Sequence, residues 1–216
     1  MRNDGLEGHI RPGMPPKDLR TLLAKAHKDL FWQMGAWATN YWKDISVLKQ
    51  PSDLHWYCEV FWESKPDFYV ETGTWEGGSA IYFADQLKAM GLDCHVITID
   101  NAPRSKLDYP GVTQIVGGAL DEVVLNRVRS LVKDASVMVT LDDDHTRKHV
   151  AEEMEVYGEL VTPGQHMVVE DLMPFDRYED GAYLVENFLA ARDGWELQPD
   201  KYPEGFSAGG WIKRCS

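Results

Sequence analysis

An apolar run near the middle of the chain stops at three consecutive carboxylates and a histidine. The stretch is VTLDDDHTRKH, and it places Asp142, Asp143, Asp144 and His145 next to one another. Acidic side chains at such a point can begin a helix, where they accept hydrogen bonds from free amides and favour the positive end of the helix dipole. They can also bind a hard cation, and a histidine beside them can transfer a proton. The elements around the stretch are needed to separate these interpretations.

Short β-branched runs alternate with helical stretches from residue 67 onward. Near-continuous apolar strands joined by helices are typical of a parallel sheet covered on both faces. Two last runs, residues 195–202 and 209–215, are predicted to form a terminal pair of strands with an antiparallel edge. We therefore predict a Rossmann-like, doubly wound α/β fold with a mostly parallel seven-stranded sheet. The other strands are expected at residues 67–72, 94–100, 112–116, 136–142 and 165–171, and the helices at 77–90, 121–132, 146–161 and 183–192.

The first 66 residues differ from the rest in their aromatic content. Two helices are predicted here, at residues 16–34 and 53–64. Their aromatic side chains either pack against the sheet or a second subunit, or they cover a bound substrate. We predict a helical extension over residues 1–66 and a main domain over residues 67–216. Five of the eight tryptophans of the chain lie in the extension, namely Trp32, Trp37, Trp42, Trp56 and Trp62.

The first two strands of the main domain end in residues suited to a nucleoside-containing cofactor. In doubly wound sheets the ligand lies at the carboxyl ends of the strands. The sequence ETGTWEGGS, residues 71–79, supplies glycines that let the backbone approach a ligand closely, and the following helix offers free amides. Asp100 ends the next strand, where it can accept hydrogen bonds from a ribose diol. The spacing differs from G-x-G-x-x-G, and a carboxylate at Glu71 suits a cation better than a pyrophosphate. This favours S-adenosylmethionine over a nicotinamide cofactor.

Two further strands end in carboxylates, at Asp142 and at the pair Glu170 and Asp171. If these parallel strands are neighbours, their ends lie side by side, and the three acids repel one another unless a cation lies between them. A ligand set made only of oxygen atoms favours Mg²⁺, with Ca²⁺ and Mn²⁺ as alternatives. The alternative is that Glu170 and Asp171 begin a solvated loop. For Asp143 and Asp144 we expect that one of them caps the helix beginning near residue 146.

His145 is the candidate general base. It follows Asp142 by three residues and can face the same cleft, and histidine as a residue type, with a reference pKa of about 6.5, is suited to taking a proton from a hydroxyl. A hydrogen-bonded structural histidine is the alternative. His149 lies one helical turn further on, but HTRKH lacks the glutamate of the H-E-x-x-H zinc motif, and a solvated helix position explains it equally well.

The charge of the chain argues against two classes of partner. With 35 acidic and 22 basic residues the net charge is −13, which repels nucleic acid and anionic lipid. The sequence has no signal-peptide pattern and no apolar run of about 20 residues, so we expect a soluble, cytoplasmic protein. The clustered aromatic residues of the extension make a homo-oligomer the expected assembly.

These residues, in this order, resemble the cephalosporin hydroxylase and rhamnosyl O-methyltransferase family of class I S-adenosylmethionine-dependent methyltransferases. The matching segments are KPDFYVETGTWEGGSAIYFADQL, VITID, LDDDHTRKHVAEEMEVYGELVTPGQHMVVEDL and, more loosely, FSAGGWIKR. The resemblance implies that Asp142, Glu170 and Asp171 bind Mg²⁺, an arrangement similar to that of catechol O-methyltransferases, in which a lysine base holds the position of His145. The cofactor contacts expected on this basis are Glu71, Gly73, Thr74, Gly78, Ser79, Asp100, Gly118, Ala119 and Asp142.

The leading hypothesis is a Mg²⁺-dependent O-methyltransferase that acts on a hydroxyl of a small molecule, such as a sugar or a natural-product scaffold, with Asp142 and His145 as catalytic residues. One rival is a nicotinamide-dependent oxidoreductase on a similar sheet. Another is a non-catalytic, methyltransferase-like partner protein whose aromatic extension binds a second protein.

Overall fold

The computed structural model describes residues 17–172 and 182–216, and its strands and helices alternate as predicted. The helices are α1 (Lys17–Gln33), α2 (Pro51–Ser64), α3 (Gly78–Ala89), α4 (Glu122–Leu131), α5 (Arg147–Gly158) and α6 (Ala182–Ala191). The strands are β1 (Tyr41–Trp42), β2 (Ile45–Ser46), β3 (Phe68–Thr72), β4 (His95–Asp100), β5 (Val112–Val116), β6 (Val137–Leu141), β7 (His166–Val169), β8 (Trp195–Leu197) and β9 (Trp211–Arg214).

Seven strands form the central sheet in the order β5-β4-β3-β6-β7-β9-β8. The strands from β5 to β7 are parallel, whereas β9 pairs antiparallel with both β7 and β8. The Rossmann-like α/β prediction, with its antiparallel edge, is therefore confirmed. The chain runs outward in both directions from β3, so the gap between β3 and β6 is the switch point at which such sheets bind ligands.

Two apolar clusters cover the faces of the sheet. One lies under α4, α5 and α6, and α4 shows how the sequence produces it, because Val124, Leu125 and Val128 share one helical face and are all buried. The other cluster packs Tyr57 and Phe61 of α2 against the strands and α3. Residues of the extension therefore share a core with the main domain, and the boundary at residue 66 stays a prediction.

The segment between α1 and α2 contains a small hairpin that the sequence did not suggest. Strands β1 and β2 are joined by Lys43 and Asp44, with φ angles of 52° and 64°. Two positive φ values are typical of a tight hairpin turn, which the sequence usually signals with glycine or asparagine. The hairpin packs on α3, where the indole Nε1 of Trp42 donates to Asp85 Oδ2 at 2.7 Å.

Within residues 17–172 and 182–216, no helix combines the length and the apolarity that crossing a lipid bilayer requires.

Candidate active site

A cavity of about 650 Å³ opens at the carboxyl ends of the central strands. Its volume lies in the usual range for a small-molecule site. Glu71 and Glu170 do not line it. The remaining predicted site residues do, namely Gly73, Thr74, Gly78, Ser79, Asp100, Gly118, Ala119, Asp142, His145 and Asp171.

The glycine loop after β3 is held by close backbone contacts. Gly73 has a φ of 84°, and its amide donates to Ile99 O at 2.8 Å. A Cβ at Gly73 would lie 1.9 Å from the carbonyl oxygen of Asp142, and one at Gly78 would lie 2.0 Å from that of Ser46. Only glycine lets the loop, the end of β6 and the hairpin meet this closely.

We expect Gly73→Ala to be strongly destabilising, because the new methyl group must displace the backbone of Asp142 as well as adopt a positive φ. Gly91→Ala is the matched control, since Gly91 has a φ of 72° with nothing within 4 Å of its would-be Cβ. The control isolates the cost of the φ angle alone, about 1–2 kcal/mol. Urea denaturation of both variants checks this, and equal losses would contradict a role for the close approach.

Asp100 holds the same loop from the end of β4. Its Oδ2 atom accepts hydrogen bonds from the amides of Thr74 at 3.1 Å and Trp75 at 2.9 Å. Its Oδ1 atom accepts from the amide of Ala102 at 2.8 Å. The carboxylate thus organises the loop and also lines the cavity. Its predicted contact with a ribose stays a prediction.

Glu71 lies one layer behind the cavity wall. Its side chain is buried, and Oε1 accepts a hydrogen bond from Ser79 Oγ at 3.1 Å. Burial raises the pKa of Glu71 to about 7, although Lys49, Thr98 and Ser79 oppose the shift. Glu71 therefore orients Ser79, which itself lines the cavity, and its predicted direct contact with the cofactor is untested.

The raised pKa makes Glu71 a source of pH-dependent stability. Because the folded protein holds this proton more tightly than the unfolded chain, the stabilisation is fully present below about pH 4.5 and is lost as the pH rises to about 7. We expect the stability of the wild type relative to Glu71→Gln to fall by about 3 kcal/mol over this window, at about 1.4 kcal/mol per pKa unit. Denaturation at several pH values measures it. Glu122→Gln, at a 74% exposed side chain, is the control.

The most consequential residue that sequence reasoning missed is Lys49, which enters the site from the extension. Its Nζ atom lies 2.7 Å from Asp142 Oδ2 and 2.7 Å from Glu170 Oε1, and the residue is 1% exposed. Burial alone would lower the pKa of this ammonium, but the two carboxylates outweigh it and raise the pKa well above its usual value. The only signal in the sequence is a lysine at the end of an apolar run, ISVLK.

Glu170 is buried directly after the end of β7, where hydrogen bonds hold its side chain. Besides Lys49, its Oε1 atom accepts a hydrogen bond from Tyr57 Oη at 2.6 Å. The Tyr57 hydroxyl also lies 3.1 Å from Thr140 Oγ1. The predicted neighbours β6 and β7 do bring Asp142 and Glu170 together, but a lysine ammonium lies between these two carboxylates. Metal binding by Glu170 remains a prediction.

Asp142, His145 and Asp171 form what we call the strand-end cluster. One potential ligand atom from each lies within 4.8 Å of the others. His145 Nε2 is 3.5 Å from Asp171 Oδ2 and 4.0 Å from Asp142 Oδ1. Burial raises the pKa of Asp171 to about 6, while His145 opposes the shift. The Oδ1 atom of Asp171 is buried with no hydrogen-bond partner among the described residues, so the cluster has an oxygen available for a further ligand.

The other two aspartates of the opening stretch do not cap α5. The N-cap is Thr146 and has no side-chain cap, so the expectation for Asp143 or Asp144 is wrong. Asp144 Oδ1 instead accepts a hydrogen bond from the amide of Thr146 at 2.9 Å, which forms a turn before the helix. Asp143 Oδ1 lies 3.1 Å from His149 Nε2, so His149 is paired rather than only solvated.

Aromatic residues of the extension form another wall of the cavity. Trp32 and Trp37 stack with ring centroids 4.9 Å apart and an interplanar angle of 13°, and Trp32 meets Phe206 edge to face. All three side chains line the cavity. Packing onto the sheet and covering the site are therefore compatible roles for these aromatics.

A family model for rhamnosyl O-methyltransferases and CmcI matches residues 34–201, well over half of the chain. The chain belongs to this family. It is 31% identical over 149 residues to the rhamnosyl O-methyltransferase of Mycobacterium tuberculosis, a match that covers 65% of this chain and 60% of that protein. The corresponding protein of Mycobacterium leprae is 30% identical over 167 residues, which cover 74% and 71% of the two chains. The chain thus spans about 60% of the length of the mycobacterial relative that it matches at 31% identity.

Solved structures support the same fold for this family member. A structure of CmcI with Mg and SAM has a TM-score of 0.68 at 22% identity and covers 96% of this chain and 88% of its own. The O-methyltransferase TomG of Streptomyces achromogenes, in complex with SAM, has a TM-score of 0.54 at 17% identity with 89% coverage of both chains. At these identities the likeness concerns the fold.

Proposed function

We propose that this protein is an S-adenosylmethionine-dependent O-methyltransferase that uses a divalent cation and acts on a hydroxyl of a small molecule. The observation that carries the proposal is one cavity with two chemically distinct walls. The glycine loop and Asp100 form one wall, and the strand-end cluster forms another. A methyl donor and an acceptor hydroxyl beside a base must share such a space to react. Family membership supports the same conclusion.

The cavity wall formed by the glycine loop and Asp100 fits a nucleoside-containing methyl donor. Gly73 and Gly78 leave no side chain at the switch point of the sheet, while Ser79 supplies a hydroxyl and Asp100 a carboxylate. When bound, S-adenosylmethionine supplies a methyl group on a sulfonium, which an acceptor oxygen can take. The carboxylates near this wall favour a positively charged ligand. The cofactor contacts predicted from sequence remain part of the proposal, with Glu71 acting through Ser79.

The strand-end cluster fits a hard divalent cation through its two carboxylates. The Oδ1 atom of Asp171, which has no hydrogen-bond partner among the described residues, and the carboxylate of Asp142, whose side chain is 22% exposed, supply oxygen ligands of the type that Mg²⁺ prefers. When bound, the cation would lower the pKa of a hydroxyl that it chelates. We assign the cation to Asp142 and Asp171. Glu170 supports them through Lys49, since its Oε1 atom already has two partners.

His145 is positioned to accept the proton of the acceptor hydroxyl. Its imidazole lines the cavity, and Asp171 and Asp142 lie at 3.5 and 4.0 Å from its Nε2 atom. The two carboxylates stabilise the imidazolium that forms when the proton is taken. The aromatic wall of Trp32 and Trp37 then excludes water and orients the acceptor, which suits a sugar face or a flat scaffold.

Calorimetry tests the proposed cofactor directly. We expect the purified chain to bind S-adenosylhomocysteine and to show no binding of NADH. Binding of NADH instead would favour the oxidoreductase, and binding of neither would favour the non-catalytic partner protein. Gly73 belongs to the wall of the cavity that we propose binds the cofactor. Gly73→Ala should therefore weaken S-adenosylhomocysteine binding in any fraction of the variant that stays folded, whereas Gly91→Ala should not.

A further inference from the structure

A second group of ligating side chains lies beside the strand-end cluster and has no part in the proposed methyl transfer. Asp143, His149 and Glu153, here called the helix cluster, bring one potential ligand atom each to within 4.8 Å of one another. His149 and Glu153 are four residues apart on α5 and therefore project from the same face of the helix. Asp143 and His149 line the cavity, so an ion could reach the cluster from that side.

Glu153 supplies the observation that points to a ligand. The residue is 1% exposed, and neither of its carboxylate oxygens makes a hydrogen bond of good geometry to the described residues, although the side chains of Thr72 and Asp143 lie beside it. Its Oε2 atom lies 3.8 Å from His149 Nε2, beyond hydrogen-bonding distance. A buried carboxyl group without such a bond is available to a ligand, and a bound cation would stabilise its ionised form. Among the described residues its ion-pair contact is with His149, and the carboxylates of Asp143 and Asp142 lie nearby.

The spacing of the helix cluster suits a first-row divalent ion. Metal–nitrogen and metal–oxygen distances of about 2.0–2.2 Å in a tetrahedral site place neighbouring ligand atoms about 3.3–3.6 Å apart. The imidazole nitrogen lies 3.1 Å from Asp143 Oδ1 and 3.8 Å from Glu153 Oε2, on either side of that separation. One nitrogen and two oxygen ligands favour Zn²⁺, Co²⁺ or Mn²⁺ over Mg²⁺.

We propose that Asp143, His149 and Glu153 form a second cation site, distinct from the strand-end cluster, which takes a divalent transition-type metal such as Zn²⁺. Three protein ligands leave one coordination position of a tetrahedral ion open. Because Asp143 and His149 line the cavity, we expect this open position to face the cavity. The proposal does not depend on methyl transfer, because it concerns only metal binding by these three side chains.

The test uses Co²⁺, whose visible absorption reports coordination by imidazole and carboxylate, with Zn²⁺ as competitor. Metal-free, full-length protein carrying Asp171→Asn and His145→Ala has a disabled strand-end cluster but keeps the pairing of Lys49 with Asp142. In this background we expect one equivalent of Co²⁺ to bind and to be displaced by Zn²⁺. Adding Glu153→Gln, which preserves the shape of the side chain, should weaken Co²⁺ binding at least about 30-fold, the middle of the range seen when support for a metal site is lost.

A matched control comes from α2, where His55 and Glu59 have the same four-residue spacing and the same 3.8 Å separation on the surface. Glu59→Gln should leave Co²⁺ binding unchanged. If Glu153→Gln does not fold, His149→Gln at a 24% exposed side chain replaces it with the same expectation. The proposal is overturned if the background protein binds no Co²⁺, if the Glu153 or His149 change leaves binding unchanged, or if Glu59→Gln weakens it equally.

Discussion

Lys49→Met is expected to lower the free energy of unfolding by about 3–5 kcal/mol, because it leaves the carboxylates of Asp142 and Glu170 without their shared cation. Methionine keeps most of the aliphatic volume of lysine, so the loss reports charge rather than packing. Glu170 suffers most, since its side chain is 2% exposed and, among the residues that the structure describes, its Oε1 atom retains only the Tyr57 hydroxyl. Urea denaturation at neutral pH measures the change.

Lys25→Met provides the control for Lys49→Met. The Lys25 ammonium also lies 2.7 Å from a carboxylate, that of Asp29, but these side chains are 60% and 44% exposed. Exposed pairs of this kind contribute about 0–1 kcal/mol. The double variant Lys49→Met, Glu170→Gln should recover part of the loss by removing the charge that was left buried. If Lys49→Met costs no more than Lys25→Met, the buried lysine has no role in holding the site together.

Asp171→Asn is expected to abolish cation-dependent turnover while binding of S-adenosylhomocysteine survives. Asparagine tolerates the left-handed backbone at this position, where φ is 55°, so the fold should be preserved. The substitution removes the charge of one of two proposed cation ligands, and we expect a loss in kcat/KM on the order of 100-fold or more. Asp171 is the better target than Asp142, because Asp142 also pairs with Lys49.

Two measurements check the Asp171 prediction separately. A Mg²⁺-dependent rise in melting temperature reports cation binding to the folded state, and it should be present in the wild type and absent from Asp171→Asn. Turnover with candidate sugar and catechol acceptors, with and without EDTA, reports the function. Full wild-type activity in EDTA would remove the cation from the proposed mechanism and leave His145 as the remaining catalytic group. Asp144→Asn, at an exposed neighbour, is the matched control and should leave Mg²⁺ binding unchanged.

The fold was predictable because its signals are local. Runs such as DFYVET and VMVTLD are apolar on both faces, and the intervening helices are amphipathic, so the order of strands and helices follows from the chain itself. The carboxyl ends of parallel strands share one edge of the sheet, and this rule alone predicted that Asp142, Glu170 and Asp171 lie close together. Asp142, Asp171 and Gly73 of the glycine loop all line the cavity.

The sequence by itself thus determined the sheet, the edge at which the site lies and ten of the residues that line it. Only the tertiary structure decided which charges meet: Lys49 is 93 residues from Asp142 and 121 from Glu170, yet it lies between them. The same holds for Glu153, one of three glutamates in EEMEVY, because its burial depends on how α5 is rotated against the sheet. Pairing of buried charges is set by distance and desolvation in space, and neither quantity is a property of neighbouring residues along the chain.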